Sequence, residues 1–97
     1  MSSVNYIRVK VKYIPQLFQV VTKAEEEEVL VYEGSTLADL LRRVSQIHEG
    51  LSKWLLTDDG MLSENILVII NKKVEWDLSK KLEDGDEVVL TIPFDGG

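Results

Sequence analysis

Cysteine is missing altogether from this 97-residue chain, which excludes a disulfide framework, a thiolate metal site and cysteine nucleophilic chemistry. Long apolar runs are missing too, since none approaches the roughly 18 residues that a membrane-spanning helix needs. Met1-Ser2-Ser3-Val4-Asn5 carries no positive stretch leading into an apolar one, so no secretory signal is expected and the expected location is the cytoplasm. Proline (2) and glycine (6) are few, with 44% of residues hydrophobic and 29% charged; that balance fits neither a disordered chain nor a fibrous repeat. The chain also has no Walker-type glycine-rich loop, no cluster of metal ligands and no nucleophile with a suitable base beside it. A chain of this length makes one domain and buries roughly 60 to 65% of its extended surface. Little room remains for an enclosed active site, and no cofactor is expected to bind to the chain itself.

Basic residues are the minority, 11 against 17 acidic, for a formal charge of -6. That argues against nucleic-acid backbones and anionic membranes as partners and favours a partner with a basic docking surface. Arg8, Lys10 and Lys12 gather early, whereas Glu25 to Glu28 form an unbroken acidic run. The run is expected to be a solvated loop entering a strand.

Tyr6 to Tyr13 alternates strictly, with Ile7, Val9, Val11 and Tyr13 on one side and Arg8, Lys10 and Lys12 on the other. This period of two predicts a half-buried strand. Pro15 ends it for want of a ladder donor, and residues 16 to 24 fit either a short helical turn or an irregular connection. Glu28 to Glu33 predicts a second strand closed by Gly34. Thr36 (or Ser35) is placed to cap a helix, with Asp39 three residues on as in a capping box. Leu37, Leu40, Leu41, Val44 and Ile47 then recur at helical spacing, and Gly50 is placed to end the helix in a left-handed conformation. Leu51 to Leu56 predicts a short helical segment before the turn at Asp58-Asp59-Gly60. Ile66 to Ile70 is expected to be a central strand buried on both faces, followed by a turn at Asn71-Lys72-Lys73 and a short strand around Val74. Leu78 and Leu82 are expected core contacts. Asp84-Gly85-Asp86 is a turn signature, leading into a last strand over Glu87 to Ile92.

Three further features have ordinary structural explanations. His48, the sole histidine, falls at the helix end, where an imidazole meets terminal carbonyls favourably. Asp84 and Asp86 are accounted for by their turn, and a calcium loop needs more ligands. Trp54 and Trp76 suit the core boundary or an interface.

After Ile92 only Pro93-Phe94-Asp95-Gly96-Gly97 remain. Pro93 stops the ladder, so the chain is expected to leave the domain extended. Glycine lacks a Cβ, which leaves a terminal carboxylate open to bulky reagents and lets it thread a narrow channel. Ordering two glycines on docking costs entropy. A carboxylate at neutral pH is a poor electrophile and needs an activating group, which nothing in this chain supplies. The activator must therefore be another protein.

Four stretches, Val9 to Tyr13, Glu33 to Leu41, Leu82 to Val88 and the closing Gly96-Gly97, make the chain resemble the sulfur-carrier family. That family includes ThiS and the small subunit of molybdopterin synthase (MoaD), the second being the nearer match. The resemblance implies an α+β, ubiquitin-like β-grasp fold. A mixed sheet of four to five strands would pack on one main helix over residues 1–92, with a flexible Gly-Gly tail over 93–97 and the first and last strands central and parallel. It implies an adenylating partner of the ubiquitin-activating type, MoeB- or ThiF-like, which uses ATP and Mg²⁺ on the terminal carboxylate before sulfur transfer leaves a thiocarboxylate. By position Gly97 would carry the adenylate and then the sulfur, Gly96 would be the slim approach, and Pro93, Phe94 and Asp95 would form the docking edge. In molybdopterin synthase such a tail enters the large subunit and gives sulfur to precursor Z, so this chain would be the sulfur-donating subunit rather than a self-contained enzyme. The same ending suits a ubiquitin-like modifier of protein lysines or a carrier for tRNA thiolation. A non-covalent β-grasp interaction module, acting through its sheet or helix face, is the remaining alternative.

Overall fold

The computed structural model of the chain describes residues 5–93. Strand β1, Tyr6–Tyr13, buries Ile7, Val9, Val11 and Tyr13 and opens the residues between them, as the alternation requires. Pro15 precedes a helix, α1 (Gln16–Thr22), which buries Phe18 and ends at Lys23 with φ of 60°. The stretch that suited helix or loop is thus helical, held by an aromatic that inserts into the core. Strand β2, Glu26–Tyr32, starts two residues earlier than its apolar pattern suggested. The acidic run is therefore mostly strand rather than a loop.

Helix α2, Leu37–Ile47, opens on the expected capping box: the Asp39 N–H donates to the Thr36 hydroxyl at 3.3 Å, and the Thr36 N–H donates to Asp39 Oδ2 at 2.9 Å. Its remaining first-turn donors are met from outside, Leu37 N–H by the Lys80 carbonyl and Ala38 N–H by that of Leu78. Leu37, Leu40, Leu41 and Val44 are buried. Gly50 does not end this helix in a left-handed cap. The helix stops at His48, and Gly50 lies in a 3₁₀ turn (Glu49–Leu51) without positive φ, followed by α3 (Ser52–Leu55). The reason for glycine there is space, because a Cβ would stand 2.9 Å from Val21 Cγ1 of α1.

Strands β3 (Leu67–Ile70) and β4 (Lys73–Val74) form a hairpin through Asn71 and Lys72, both at positive φ, and β5 spans Glu87–Thr91. The sheet order is β2-β1-β5-β3-β4, with β1 and β5 parallel and every other pair antiparallel. This is the β-grasp: a five-stranded mixed sheet with its helices on one face. The last strand is central and the first lies beside it. β3 is neither central nor buried on both faces. Val68 and Ile70 face the core, but Leu67 and Ile69 are half exposed on the other face, where among the described residues no helix packs. Leu82 is buried and Leu78 packs at the core margin, as expected.

Candidate functional site

The strand that precedes the ending, β5, lies in the middle of the sheet. Val88 and Leu90 of β5 are fully buried, and the strand is hydrogen-bonded along both sides, to β1 and to β3. Its start is clamped by the turn before it. Gly85 takes φ of 88° there and donates to the Arg8 carbonyl at 2.8 Å. Asp84 Oδ1 accepts the Arg8 N–H at 2.8 Å, and Asp86 accepts the Glu83 N–H at 2.8 Å and the Asn71 side-chain amide at 2.9 Å. Asn71 in turn accepts the Glu87 N–H at 3.0 Å. Both aspartates are thus engaged as backbone clamps, which is how a turn uses them.

The exit end is as firmly held. The Ile14 N–H donates to the Leu90 carbonyl at 3.1 Å, Thr91 stands opposite Leu67, and Ile92 packs half-buried against the core. Pro93 is exposed and has no N–H with which to extend the ladder. Of the residues singled out in the ending, only Pro93 falls among those described; Phe94, Asp95, Gly96 and Gly97 lie outside them. Pro93 therefore follows directly on a strand that is paired on both sides.

Beside this exit, the uncovered face carries a surface that includes Leu67 and Ile69, which the apolar run Ile66 to Ile70 placed among residues buried on both faces. The register places Ile69, Val89 and Val74 in a row, and Leu67 opposite Thr91. Leu67, Ile69 and Val89 are half exposed. Across the same face Lys12 pairs with Glu87 at 3.3 Å and Lys10 with Glu26 at 3.5 Å, so two of the three early basic residues are matched by acids from neighbouring strands. Such partly exposed pairs contribute little to stability.

The histidine is structural, though not as a cap on helix carbonyls. His48 Nε2 lies 2.5 Å from Glu27 Oε2, and the same oxygen accepts the Tyr13 hydroxyl at 2.6 Å. Burial first, and then the bond to Glu27, push the Tyr13 phenol well above its ordinary range. Glu27 hid within the acidic run, and its odd register with Val29 and Val31 was the signal that could have found it. Trp54 packs edge-on against Phe18 with ring centroids 5.8 Å apart, whereas Trp76 is 64% exposed. Among the described residues no group of acids or histidine could hold a metal ion, and no helix is long and apolar enough to cross a membrane.

Comparison with known proteins bears on this geometry. The ThiS family profile matches residues 11–97, the closing glycines included. SAMP1 from Haloferax volcanii is 28% identical over 93% of this chain and 99% of that one, with a TM-score of 0.80. A chain in the complex of subunits 1 and 2 of molybdopterin-converting factor from Helicobacter pylori is 26% identical over 94% of this chain and 100% of that one, with a TM-score of 0.61. A chain of the BexX/CysO complex from Amycolatopsis orientalis shares the fold at 24% identity, over 92% and 99% of the two chains, with a TM-score of 0.74. No protein of curated function matches the chain in sequence.

Proposed function

This chain belongs to the ThiS family of β-grasp sulfur carriers, and we propose that its Gly97 carboxylate is the group it carries into chemistry, as a ubiquitin-like modifier and sulfur donor. Adenylation by a partner joins the carboxylate oxygen to the α-phosphorus of ATP and releases pyrophosphate. A hydrosulfide then displaces AMP to leave the thiocarboxylate, or a lysine amine displaces it to leave an isopeptide. Residues 93–97 serve as the tail, with Gly96 and Gly97 leaving the carbonyl unobstructed and Pro93, Phe94 and Asp95 forming its docking edge. The observation that carries the reading is the family match running through residue 97, on a chain whose central strand delivers its end to solvent at Pro93. The half-exposed aliphatic row of Leu67, Ile69 and Val89 offers an activating partner an apolar foothold beside that exit.

Similarity to a small archaeal modifier protein at 28% identity favours the modifier reading. Similarity to a chain of a molybdopterin-converting factor complex at 26% keeps the role of molybdopterin synthase small subunit as the second reading. One experiment addresses the shared chemistry. The chain is incubated with a ThiF- or MoeB-like enzyme, ATP, Mg²⁺ and hydrosulfide, and its intact mass is taken. Exchange of one oxygen for sulfur is expected, and it should vanish when Gly97 is deleted. No adenylate and no exchange with any such enzyme would reject the proposal. Lysine-linked adducts in cells then separate the modifier from a donor dedicated to molybdopterin.

A further inference from the structure

Two aromatic rings at the start of the sheet are held against each other in the open. Tyr6 of β1 and Tyr32 of β2 stand directly opposite, with ring centroids 5.0 Å apart and planes 27° from parallel. Tyr13 N–H donates to the Glu25 carbonyl and Glu33 N–H to that of Asn5, so the odd-numbered residues exchange the hydrogen bonds between these strands. Tyr6 and Tyr32 are consequently a non-hydrogen-bonded pair, the kind whose side chains approach most closely. Their backbones have little freedom to part. The bond from Glu33 to Asn5, at 2.9 Å, lies just beyond them, and the Ser35 N–H holds the Tyr32 carbonyl at 3.0 Å. Both rings are nevertheless within reach of solvent: Tyr6 is 57% and Tyr32 58% exposed, and together they wall an open groove with Leu30, Arg42 and Arg43.

Neither phenol belongs to the core. The third tyrosine, Tyr13, is fully buried with its hydroxyl on Glu27, and its ring neighbour is His48, edge-on at 6.0 Å. The chain has no cysteine, so no thiol competes for an oxidant and no disulfide can brace the sheet. We propose that Tyr6 and Tyr32 form an oxidative cross-linking site, which takes a one-electron oxidant of the peroxidase class and closes into a dityrosine clasp between β1 and β2. Each phenol gives up one electron and its hydroxyl proton to become a phenoxyl radical. The two radicals pair to form a carbon–carbon bond between ring positions ortho to oxygen. The two ortho hydrogens then leave as protons while both oxygens regain protons from water, so the hydroxyls return and the pair has lost two hydrogen atoms in all. One hydrogen peroxide, reduced to two waters through the peroxidase, takes up those electrons and protons. The bond closes the chain between residues 6 and 32 into a loop, and so removes entropy from the unfolded state, as any cross-link between distant residues does. Coupling between two chains is disfavoured by the formal charge of -6 on each, whereas the partner ring within the chain is already in place.

The test treats the full-length chain with a haem peroxidase and stepwise hydrogen peroxide, under conditions shown to couple free tyrosine. Dityrosine fluorescence is expected in a monomer lighter by two hydrogens, formed at a rate per chain that does not change with chain concentration. Proteolysis should then yield a linked pair of fragments, one carrying Tyr6 and the other Tyr32. Tyr6→Phe and Tyr32→Phe keep the stacked ring and lose the phenol, so each should abolish the cross-link in the monomer. Tyr13→Phe should leave it intact. The linked chain should unfold at a higher urea concentration than the parent. Met61 and Trp76, 63% and 64% exposed, would instead gain oxygen, which mass separates from loss of hydrogen. Oxygen gain without cross-linking, covalent dimers as the main product, or a link that survives in Tyr6→Phe would each overturn the proposal. So would an unchanged urea midpoint in the linked chain. Tyr6 lies at the opposite end of β1 from Ile14, which bonds Leu90 beside the exit, so deleting Gly97 should leave the clasp unaffected.

Discussion

His48 and Glu27 are joined side chain to side chain across 2.5 Å, fastening the end of α2 to the second strand. The Tyr13 hydroxyl shares the same carboxylate oxygen, so removing Glu27 strands a buried phenol. Glu27→Ala should cost about 1 to 3 kcal/mol. Its neighbours Glu26 and Glu28 are exposed, and their alanine variants should stay within about 0.5 kcal/mol of the parent. Urea unfolding of the three variants checks the ranking, and equal costs would count against a structural role for Glu27.

Tyr13 makes stability depend on pH at the alkaline end. Unfolded, its phenol titrates near the ordinary value of about 10; folded, burial and Glu27 keep it protonated above that. A raised folded-state pKa gives a contribution that is complete below the unfolded value and is lost as pH rises towards the folded one. Tyr13→Phe lacks this contribution and should be the less stable protein at neutral pH. The gap between the two should narrow above about pH 10, as read from urea midpoints. A gap constant across that window would contradict the assignment.

Stability and tail chemistry should separate cleanly. Leu41 is fully buried, and Leu41→Ala should cost about 2 to 5 kcal/mol while its folded fraction still accepts sulfur. Gly96→Val should show the reverse, a parent-like unfolding curve with the mass exchange lost or slowed. Retained exchange in Gly96→Val would argue against a tail that must be slim.

Gly50 supplies a test of packing. A Cβ there would meet Val21 Cγ1 at 2.9 Å, so Gly50→Ala should cost about 1 kcal/mol through overpacking. In a Val21→Ala background the cost should disappear, a coupling that a double-mutant cycle measures directly. An equal cost in both backgrounds would place the origin in the backbone instead.

How legible these features are in the sequence depends on how locally each is encoded. β1 and α2 are written in single stretches, by strict alternation and by Thr36, Asp39 and the leucine spacing, and both are found where expected. Glu26 and Glu27 mask the start of β2, because charge looks like loop even where the register turns Glu27 towards His48. Gly50 follows a helix and so resembles a cap; its actual constraint is Val21, far away in a helix that the sequence left undecided. Leu67 and Ile69 look buried on composition, yet a sheet with helices on one side leaves them half open. Strand order was not legible from periodicity at all and came through the resemblance. The ending shows the opposite balance: the chemistry proposed for it is read from Pro93 to Gly97 alone, and the fold adds only the anchorage of the strand before it, β5.

That anchorage has a mechanical side. β1 and β5 lie parallel over Lys10 to Tyr13 and Glu87 to Leu90, with Lys10 N–H bonded to the Asp86 carbonyl and Ile14 N–H to that of Leu90 at the two ends. A partner hauling on the chain beyond Pro93 against a holdfast at the start of β1 slides these strands lengthwise past each other. The bonds between them then bear the load together in shear, instead of unzipping singly, and the domain resists traction best along the direction of β1 and β5.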